Sequence, residues 1–390
     1  MKSFDETFAT IGTTIFTVMS ALASEHGAIN LGQGFPDGNG PDDVREAAVR
    51  ALREGPNQYP PMMGLPELRQ AVAANGARFF GVTADWREQV LVTSGATEAL
   101  AASLLALLEP GDEAVLFEPL YDSYAPMVRR AGARPRLVRL EPPDWSLPQS
   151  ALAAAFGPKT KVVVLNTPMN PIGKVFSRDE LAMIADLVIR HDSYAICDEV
   201  YEHLVFSGQA HVPLSTLPGM AGRALRIGSA GKTFALTGWK VGYLTGAPEL
   251  IAAVARAHQF LTFTTPPNLQ RAVAYGLGKE DCYFHDLAAS LEARRDQLSA
   301  GLAALGMTVL DCAGGYFITA DIRPLETGLS DVAFCQTITR EAGVAAVPVS
   351  AFYEGGEDAA AKPDHFVRFC FCKQPALLDE AVGRLGRYFG

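Results

Sequence analysis

Three ionisable residues stand within or beside apolar segments, where a charge needs a specific partner. Asp198 ends the apolar run YAIC, Lys232 follows LRIGS in SAGKT, and Arg368 interrupts FVRFCF. Burying an uncompensated charge is costly. The partner of Asp198 is therefore either an internal Arg or Lys or the protonated nitrogen of a cofactor ring. Arg368 requires either an internal carboxylate or the carboxylate of a substrate, and these residues alone leave both questions open.

Two loops have the composition for binding a phosphate or a carbonyl compound. The loop Ser94–Thr97 opens an apolar helix, and the free N–H groups at a helix start attract anions. An ordinary N-cap with a tight glycine turn would explain the same letters. Lys232 is either a solvated surface lysine or an amine poised for Schiff-base formation. It does not belong to a P-loop, because Arg226 stands where that motif requires glycine.

The composition limits the classes of function. With 390 residues the chain exceeds what one core usually supports, so a large and a smaller domain are expected. Apolar residues make up 48% and charged residues 19%, typical of a soluble globular protein. The formal charge of -10 argues against nucleic acid and anionic membranes as partners. No secretion signal or bilayer-length apolar run is visible, so a cytoplasmic enzyme of small molecules is expected.

The six cysteines are scattered through the chain, which predicts reduced thiols and no disulfide frame. Cys370 and Cys372 form a C-x-C pair without a second pair. They are interpreted as core residues of a strand, and no metal site is expected.

Seven short apolar runs bounded by turn residues predict strands: QVLVTSG, EAVLFEP, RPRLVRL, KVVVLNTP, YAICDE, LRIGS and VGYLTG. Helical stretches lie between most of them, at Glu98–Leu108, Asp122–Arg130 and Arg178–Arg190, so the fold class is α/β with a mainly parallel seven-stranded sheet. Only the eleven residues Ala230–Lys240 separate the last two runs. A parallel crossover needs a dozen or more, so VGYLTG is expected to run antiparallel. Ligands bind at the carboxyl ends of such strands, where the chemically notable residues stand.

The C-terminal part predicts a smaller α+β domain. A helical pattern extends from Ala252 to Lys279, and a further helix follows at His285–Leu305. Strands are expected at MTVLD, GYFITAD and HFVRFCF. We therefore expect a large ligand-binding domain at 41–279 and a small domain at 280–390, with an N-terminal segment, 1–40, packed against the small domain. Closure of the small domain would exclude water from the site.

In combination, these motifs resemble the class I aminotransferases, fold type I of the pyridoxal-phosphate enzymes. The likeness covers nearly the whole chain, and its most specific parts follow the family's order: NQYPPMMGLPELRQAV, VTSGATEAL, LNTPMNPIGKVF, CDEVYEHLVF and SAGKTFALTGWKVGYL. Within the family the chain is most similar to methionine aminotransferases and to kynurenine and glutamine aminotransferases. The resemblance implies pyridoxal 5'-phosphate as cofactor and ping-pong transfer of an amino group from an amino acid to a 2-oxo acid.

The resemblance also implies roles for individual residues. Lys232 would form the Schiff base and move the proton between the substrate Cα and the cofactor. Asp198 matches the carboxylate that pairs with the pyridine nitrogen, and Asn170 and Tyr201 match the groups that hydrogen-bond the phenolic oxygen. The ring of Tyr121 would stack on the cofactor.

By the same resemblance, the phosphate would be bound by residues from three loops: Gly95, Ala96, Thr97, Ser229 and Lys240. Tyr59 resembles the tyrosine that reaches the phosphate of the neighbouring subunit, which implies a homodimer. Packing of a turn aromatic beside prolines is the alternative explanation for Tyr59.

The resemblance matches Arg368 to the arginine that binds the substrate α-carboxylate, assisted by Gly34 and Asn170. The side-chain pocket would be lined by three aromatic residues, for which core packing is the alternative: Phe16, Phe263 and Tyr316. These segments contain no second arginine for a distal carboxylate. A neutral or aromatic donor is expected, with methionine favoured because its sulfur suits aromatic surroundings.

Two rival functions remain. A carbon–sulfur β-lyase would use the same residues but expel a thiolate from Cβ, and the motifs do not separate it from a transferase. A regulator that senses the cofactor would carry an added DNA-binding domain. The family likeness begins within the first twenty residues and the chain is acidic, so the regulator is the least favoured.

Overall fold

A computed structural model describes residues 2, 5–9, 11–354 and 362–390. The helices are α1 Glu6–Ala9, α2 Ile15–Glu25, α3 Asp42–Glu54, α4 Pro66–Phe80, α5 Gly95–Leu107, α6 Tyr124–Arg130, α7 Gln149–Ala155, α8 Arg178–Arg190, α9 Ala230–Thr233, α10 Pro248–Leu261, α11 Pro267–Leu277, α12 Asp281–Ala304, α13 Asp331–Thr337 and α14 Pro375–Phe389. The strands are β1 Ile29–Asn30, β2 Val90–Thr93, β3 Glu113–Glu118, β4 Arg134–Arg139, β5 Thr160–Asn166, β6 Tyr194–Asp198, β7 Ala224–Ser229, β8 Gly242–Thr245, β9 Thr308–Val309, β10 Phe317–Asp321, β11 Val344–Ala345, β12 Val347–Pro348 and β13 Phe366–Cys370.

A seven-stranded sheet forms the centre of the fold, in the order β2-β8-β7-β6-β5-β3-β4. The pairs from β4 across to β7 are parallel, whereas β8 is antiparallel to both of its neighbours. All seven predicted strands are confirmed, and so is the antiparallel orientation of VGYLTG. The connection from β7 to β8 is too short for a crossover, so the chain turns back and β8 pairs directly with β7.

Both faces of this sheet are covered. On β5, Val162 and Val164 pack in a core with Leu104 of α5, while the alternate residues Val163 and Leu165 pack in a second core on the opposite face. Side chains alternate between the faces of a strand, so a strand covered on both sides is apolar throughout. This is why the strands appear in the sequence as continuous apolar runs.

The helices follow their local signals with one exception. The predicted helix Arg178–Arg190 is confirmed, and a capping box of Ser177 and Glu180 fixes its start. The single helical stretch expected from Ala252 to Lys279 is wrong, because α10 ends and α11 begins within it. Pro266 caps α11 and Pro267 is its first residue. Because proline cannot donate the backbone hydrogen bond that a helix interior needs, one helix cannot continue through this pair.

The C-terminal residues form a four-stranded sheet in the order β12-β13-β10-β9, with antiparallel pairing throughout. Its strands β9, β10 and β13 fall within MTVLD, GYFITAD and HFVRFCF. The N-terminal strand β1 pairs in parallel with β11, far along the chain. The domain boundaries near residues 40 and 279 stay predictions. No helix in the described part of the chain combines the length and apolar character needed to cross a bilayer.

Candidate active site

A cleft of about 220 Å³ opens at the carboxyl ends of the parallel strands. Ten of the predicted site residues line it: Gly95, Ala96, Thr97, Tyr121, Asn170, Asp198, Tyr201, Ser229, Lys232 and Lys240. They stand at the ends of β6 and β7, at the start of α5 after β2, on α9 after β7, in the segments after β3, β5 and β6, and in the turn before β8. Parallel strands bring these distant segments to one edge of the sheet, which is where ligands bind in such folds.

Asp198, at the end of β6, has one side-chain hydrogen-bond partner among the described residues. The hydroxyl of Tyr124 donates a 2.6 Å hydrogen bond to its Oδ2, while Oδ1 is buried without a partner among the described residues. Burial raises the pKa of Asp198 above its ordinary value, although the hydrogen bond from Tyr124 and the charge of Lys232 act in the opposite direction. A buried, unpartnered carboxylate oxygen is the expected acceptor for a cationic N–H of a ligand.

Lys232 lies on the single-turn helix α9, directly after β7. Its Nζ donates to the carbonyl of Gly34 at 3.3 Å and lies 5.6 Å from the ring of Tyr201. The hydroxyl of Tyr316 donates a 2.6 Å bond to the Lys232 carbonyl and fixes the backbone there. Burial lowers the pKa of Lys232, so more of its amine is in the neutral, nucleophilic form.

One end of the cleft is suited to a phosphate. The helix α5 begins at Gly95, whose φ of 76° is left-handed and favours glycine. Strand β8 passes so close that a Cβ on Gly242 would lie 2.5 Å from the carbonyl carbon of Gly95. Nearby, Nζ of Lys240 donates to the hydroxyl of Thr97 at 3.1 Å. The N–H groups of the helix start, a hydroxyl and an ammonium group together match a phosphate dianion.

Arg368, on β13, is buried without any ion pair in the described part of the chain. Its Nη1 donates to Oδ1 of Asn170 at 2.7 Å and its Nη2 donates to the carbonyl of Gly32 at 2.5 Å, while Nε has no partner among the described residues. Burial lowers the pKa of Arg368 to about 10. The guanidinium carries a charge that these neutral acceptors leave uncompensated, so an anionic ligand would complete it.

Aromatic rings surround this guanidinium. Its carbon atom Cζ lies 3.9 Å from the ring centroid of Phe317, 5.0 Å from that of Phe352 and 5.2 Å from that of Phe16. Gly34 belongs to the same surroundings, since a Cβ there would come within 2.3 Å of Phe317. The predicted residues Phe16 and Gly34 are thus brought to the guanidinium. Neither they nor Arg368 itself is among the residues that line the cleft.

Two predicted site residues lie elsewhere. Tyr59 is 85% exposed, and its ring contacts Phe263 in a T-shaped arrangement at 5.6 Å. Neither residue lines the cleft of its own chain. In this chain they form an exposed aromatic pair on the surface.

The structure adds two residues that were not predicted. Tyr124 holds Asp198, and Asn166 donates to the Asp198 carbonyl at 2.9 Å while its Oδ1 accepts from the Asn170 backbone at 2.8 Å. A signal existed for Tyr124, because EPLYDSY places a second tyrosine three residues after Tyr121. Asn166 is the last residue of β5, just as Asp198 is the last residue of β6.

The chemistry of these groups fits pyridoxal phosphate. The unpartnered Oδ1 of Asp198 suits the pyridine nitrogen, Lys232 supplies an amine, and the helix start at Gly95 with Lys240 suits the phosphate. The ring of Tyr121 borders the same cleft, and burial with nearby carboxylates raises the pKa of that residue to about 12. The fold and this cleft define a fold type I pyridoxal-phosphate enzyme.

Residues 26–385 match the family described as aminotransferase class I and II, and the chain belongs to that family. Members use pyridoxal phosphate to move amino groups between amino and oxo acids, so the expected enzyme class and cofactor are confirmed.

Several curated relatives align along almost their full length. A probable N-succinyldiaminopimelate aminotransferase from Mycobacterium tuberculosis is 48% identical over 380 residues, covering 96% of this chain and 95% of the relative. The methionine aminotransferase of Escherichia coli is 40% identical over 375 residues, covering 96% of each. The human kynurenine–oxoglutarate transaminase 3 is 38% identical over 397 residues, covering 95% of this chain and 87% of the relative.

Solved structures agree with these likenesses. An N-succinyldiaminopimelate aminotransferase from Mycobacterium tuberculosis superposes with a TM-score of 0.94 at 46% identity, covering 99% of this chain and all 100% of the other. An Escherichia coli protein with methionine aminotransferase function gives the same TM-score of 0.94 at 38% identity, covering 99% of this chain and 100% of the other.

Proposed function

We propose that this aminotransferase takes its amino group from a neutral or aromatic L-amino acid, with L-methionine the favoured donor, and passes it to a 2-oxo acid. The observation that carries this proposal is the setting of Arg368, whose guanidinium has a free Nε and is surrounded by Phe16, Phe317 and Phe352. A donor held there by its α-carboxylate would place its side chain beside aromatic rings. A thioether is favoured next to such rings.

The other residues of the cleft support the remaining roles that we propose. Bound pyridoxal phosphate supplies an electron sink that makes the Cα proton of the donor acidic. Lys232 would hold the cofactor through its Nζ and would move the proton at the donor Cα. Asp198 would keep the ring nitrogen protonated, and the hydrogen bond from Tyr124 orients that carboxylate. Asn170 and Tyr201 would hydrogen-bond the phenolic oxygen, and Tyr121 would stack on the ring.

We also propose that the enzyme is a homodimer in which Tyr59 completes the phosphate site of the partner subunit. The support is its exposure: a tyrosine ring left 85% exposed beside Phe263 is an unusual surface group for a chain without a partner. Because the six cysteines are free thiols, a reducing compartment such as the cytoplasm is the proposed location.

The test is to load the purified protein with pyridoxal phosphate and add single amino acids without an acceptor. L-methionine should change the visible absorbance of the bound cofactor and yield the matching 2-oxo acid. Lys232→Ala should hold no covalent cofactor and give no product. If methionine and all other neutral or aromatic donors leave the spectrum unchanged, the proposed donor class is wrong. Release of pyruvate and ammonia from a cysteine conjugate without an acceptor would favour a β-lyase instead.

A second candidate donor is N-succinyldiaminopimelate, because a probable aminotransferase for that compound shares 48% of its residues with this chain. The same spectral assay separates the two candidates. A specificity constant for N-succinyldiaminopimelate far above that for methionine would replace methionine as the proposed donor.

A further inference from the structure

A buried ion pair lies behind the phosphate-binding end of the cleft. Glu98, in the first turn of α5, is 7% exposed, and His258, on α10, is fully buried. Oε1 of Glu98 lies 2.5 Å from Nδ1 of His258 and accepts a 2.7 Å hydrogen bond from the hydroxyl of Thr262. Its Oε2 accepts the backbone N–H of Ser94 at 2.5 Å. The carboxylate therefore joins α5, the loop before it and the end of α10.

The contacts define the charge on His258. Its second ring nitrogen, Nε2, lies 3.0 Å from the carbonyl oxygen of Met62, which can only accept. Both ring nitrogens thus face acceptors, and only an imidazolium donates to both. Burial would lower the pKa of His258, but the hydrogen bond and charge of Glu98 outweigh it and raise that pKa above its ordinary value. Burial alone would raise the pKa of Glu98, but its hydrogen bonds keep that pKa below the ordinary value.

The imidazolium also reaches the surface that carries Tyr59. Met62 lies three residues after Tyr59. The backbone carbonyl of His258 accepts hydrogen bonds from the backbone N–H groups of Thr262 and Phe263 at 3.2 and 3.0 Å. Phe263, which contacts Tyr59, is held at a left-handed φ of 66°. A bulky residue keeps such a conformation only where its surroundings fix it. His258 therefore connects both members of the exposed aromatic pair to the helix start that faces the cleft.

We propose that His258 and Glu98 are positioning residues that couple phosphate binding at the start of α5 to the aromatic pair Tyr59 and Phe263 at the subunit contact. The inference rests on the proposed phosphate site and dimer. Without the imidazolium, the Glu98 carboxylate that accepts the Ser94 N–H loses its cationic partner, and the Met62 carbonyl near Tyr59 loses its donor. Cofactor affinity and subunit association should then weaken together.

The experiment measures the affinity of the full chain for pyridoxal phosphate and for pyridoxal, which lacks the phosphate, together with dimer dissociation by sedimentation. The two N–H groups of a glutamine share one nitrogen, which cannot occupy the positions of both ring nitrogens, and the amide carries no charge. His258→Gln should therefore lower the affinity for pyridoxal phosphate roughly tenfold, within the range of coupling between sites. Affinity for pyridoxal should stay unchanged. His258→Lys keeps a cation beside Glu98 and should recover most of the loss.

His203→Gln is the matched control. This histidine is also buried, but burial lowers its pKa to about 3 and its Nε2 contacts only the amide of Asn75 in the described part of the chain. It should change thermal stability without changing the ratio of the two affinities. If His258→Gln gives no folded protein, Glu98→Gln removes the same charge pair at constant size and carries the same expectation.

The outcomes separate the two proposals. An equal loss of affinity for both compounds in the His258 or Glu98 variant, or no loss for either, overturns the coupling. A wild-type protein that binds pyridoxal phosphate no better than pyridoxal overturns the proposed phosphate site itself.

Discussion

Replacing Arg368 with lysine tests how the enzyme recognises its donor. Two guanidinium nitrogens are engaged by Asn170 and Gly32, and Nε is left for a ligand. Each terminal nitrogen carries a second hydrogen, so Nε and one of these hydrogens can pair with the two oxygens of a carboxylate. Lysine keeps the charge but loses this planar fork, so one of the two hydrogen bonds is lost. A charge-assisted bond contributes about 1.5–3 kcal/mol. At about 1.4 kcal/mol per factor of ten, kcat/KM for L-methionine should fall roughly ten- to a hundredfold.

The assay compares two donors that share a side chain. L-methionine has an α-carboxylate, and 3-(methylthio)propylamine does not, so Arg368→Lys should reduce kcat/KM for the amino acid and leave the slow reaction of the amine unchanged. Arg323→Lys is the matched control, because that guanidinium is exposed and pairs with Asp321 away from the cleft. A fall of equal size for both donors would refute carboxylate recognition by Arg368 and show instead a general loss of site structure.

Three further predictions use other features. Asp198→Asn should raise the thermal stability of the cofactor-free protein at neutral pH while weakening cofactor binding. Burial raises the pKa of the Asp198 carboxyl, so its charged form lowers stability above that pKa. The advantage of Asn should therefore shrink as pH falls through the pKa, which calorimetry at several pH values would show. Gly34→Ala should displace Phe317 and cost about 1–3 kcal/mol with a higher KM for donors, whereas Gly38→Ala, with open space around it, should leave both unchanged. Mixing Tyr59→Ala chains with chains that lack the reactive lysine should restore activity in the mixed dimer, and no restoration would mean that Tyr59 does not act across subunits.

The strands and the reactive residues at their carboxyl ends could be predicted because both depend on local features of the sequence. A strand buried on both faces must be apolar throughout, and a turn must follow it, so the runs around Val162–Leu165 are visible without coordinates. The short link before Gly242 likewise dictated an antiparallel strand. The helical stretch predicted after Ala252 is wrong because its apolar spacing continues through the PP pair, where the missing backbone donors separate two helices.

Contacts between distant segments were not predictable in this way. Nothing near Asp198 in the chain indicates that Tyr124 would donate to it across 74 positions. Nor does the sequence around His258 show that Glu98 and the Met62 carbonyl would face its two nitrogens. Such partners depend on how the helices pack against the sheet. A shift of a helix by one residue along the sheet would bring other side chains together.

The sequence by itself determined which chemical groups are available and at which strand ends they stand: an amine at Lys232, a carboxylate at Asp198 and a guanidinium at Arg368. It left open whether the two buried charges have internal partners. The tertiary structure decided that question, because Asp198 has a hydroxyl on one oxygen and none on the other, and Arg368 has only neutral acceptors in the described part of the chain. Charge compensation acts over a few ångströms between segments far apart in sequence, so it becomes visible only once the chain is folded.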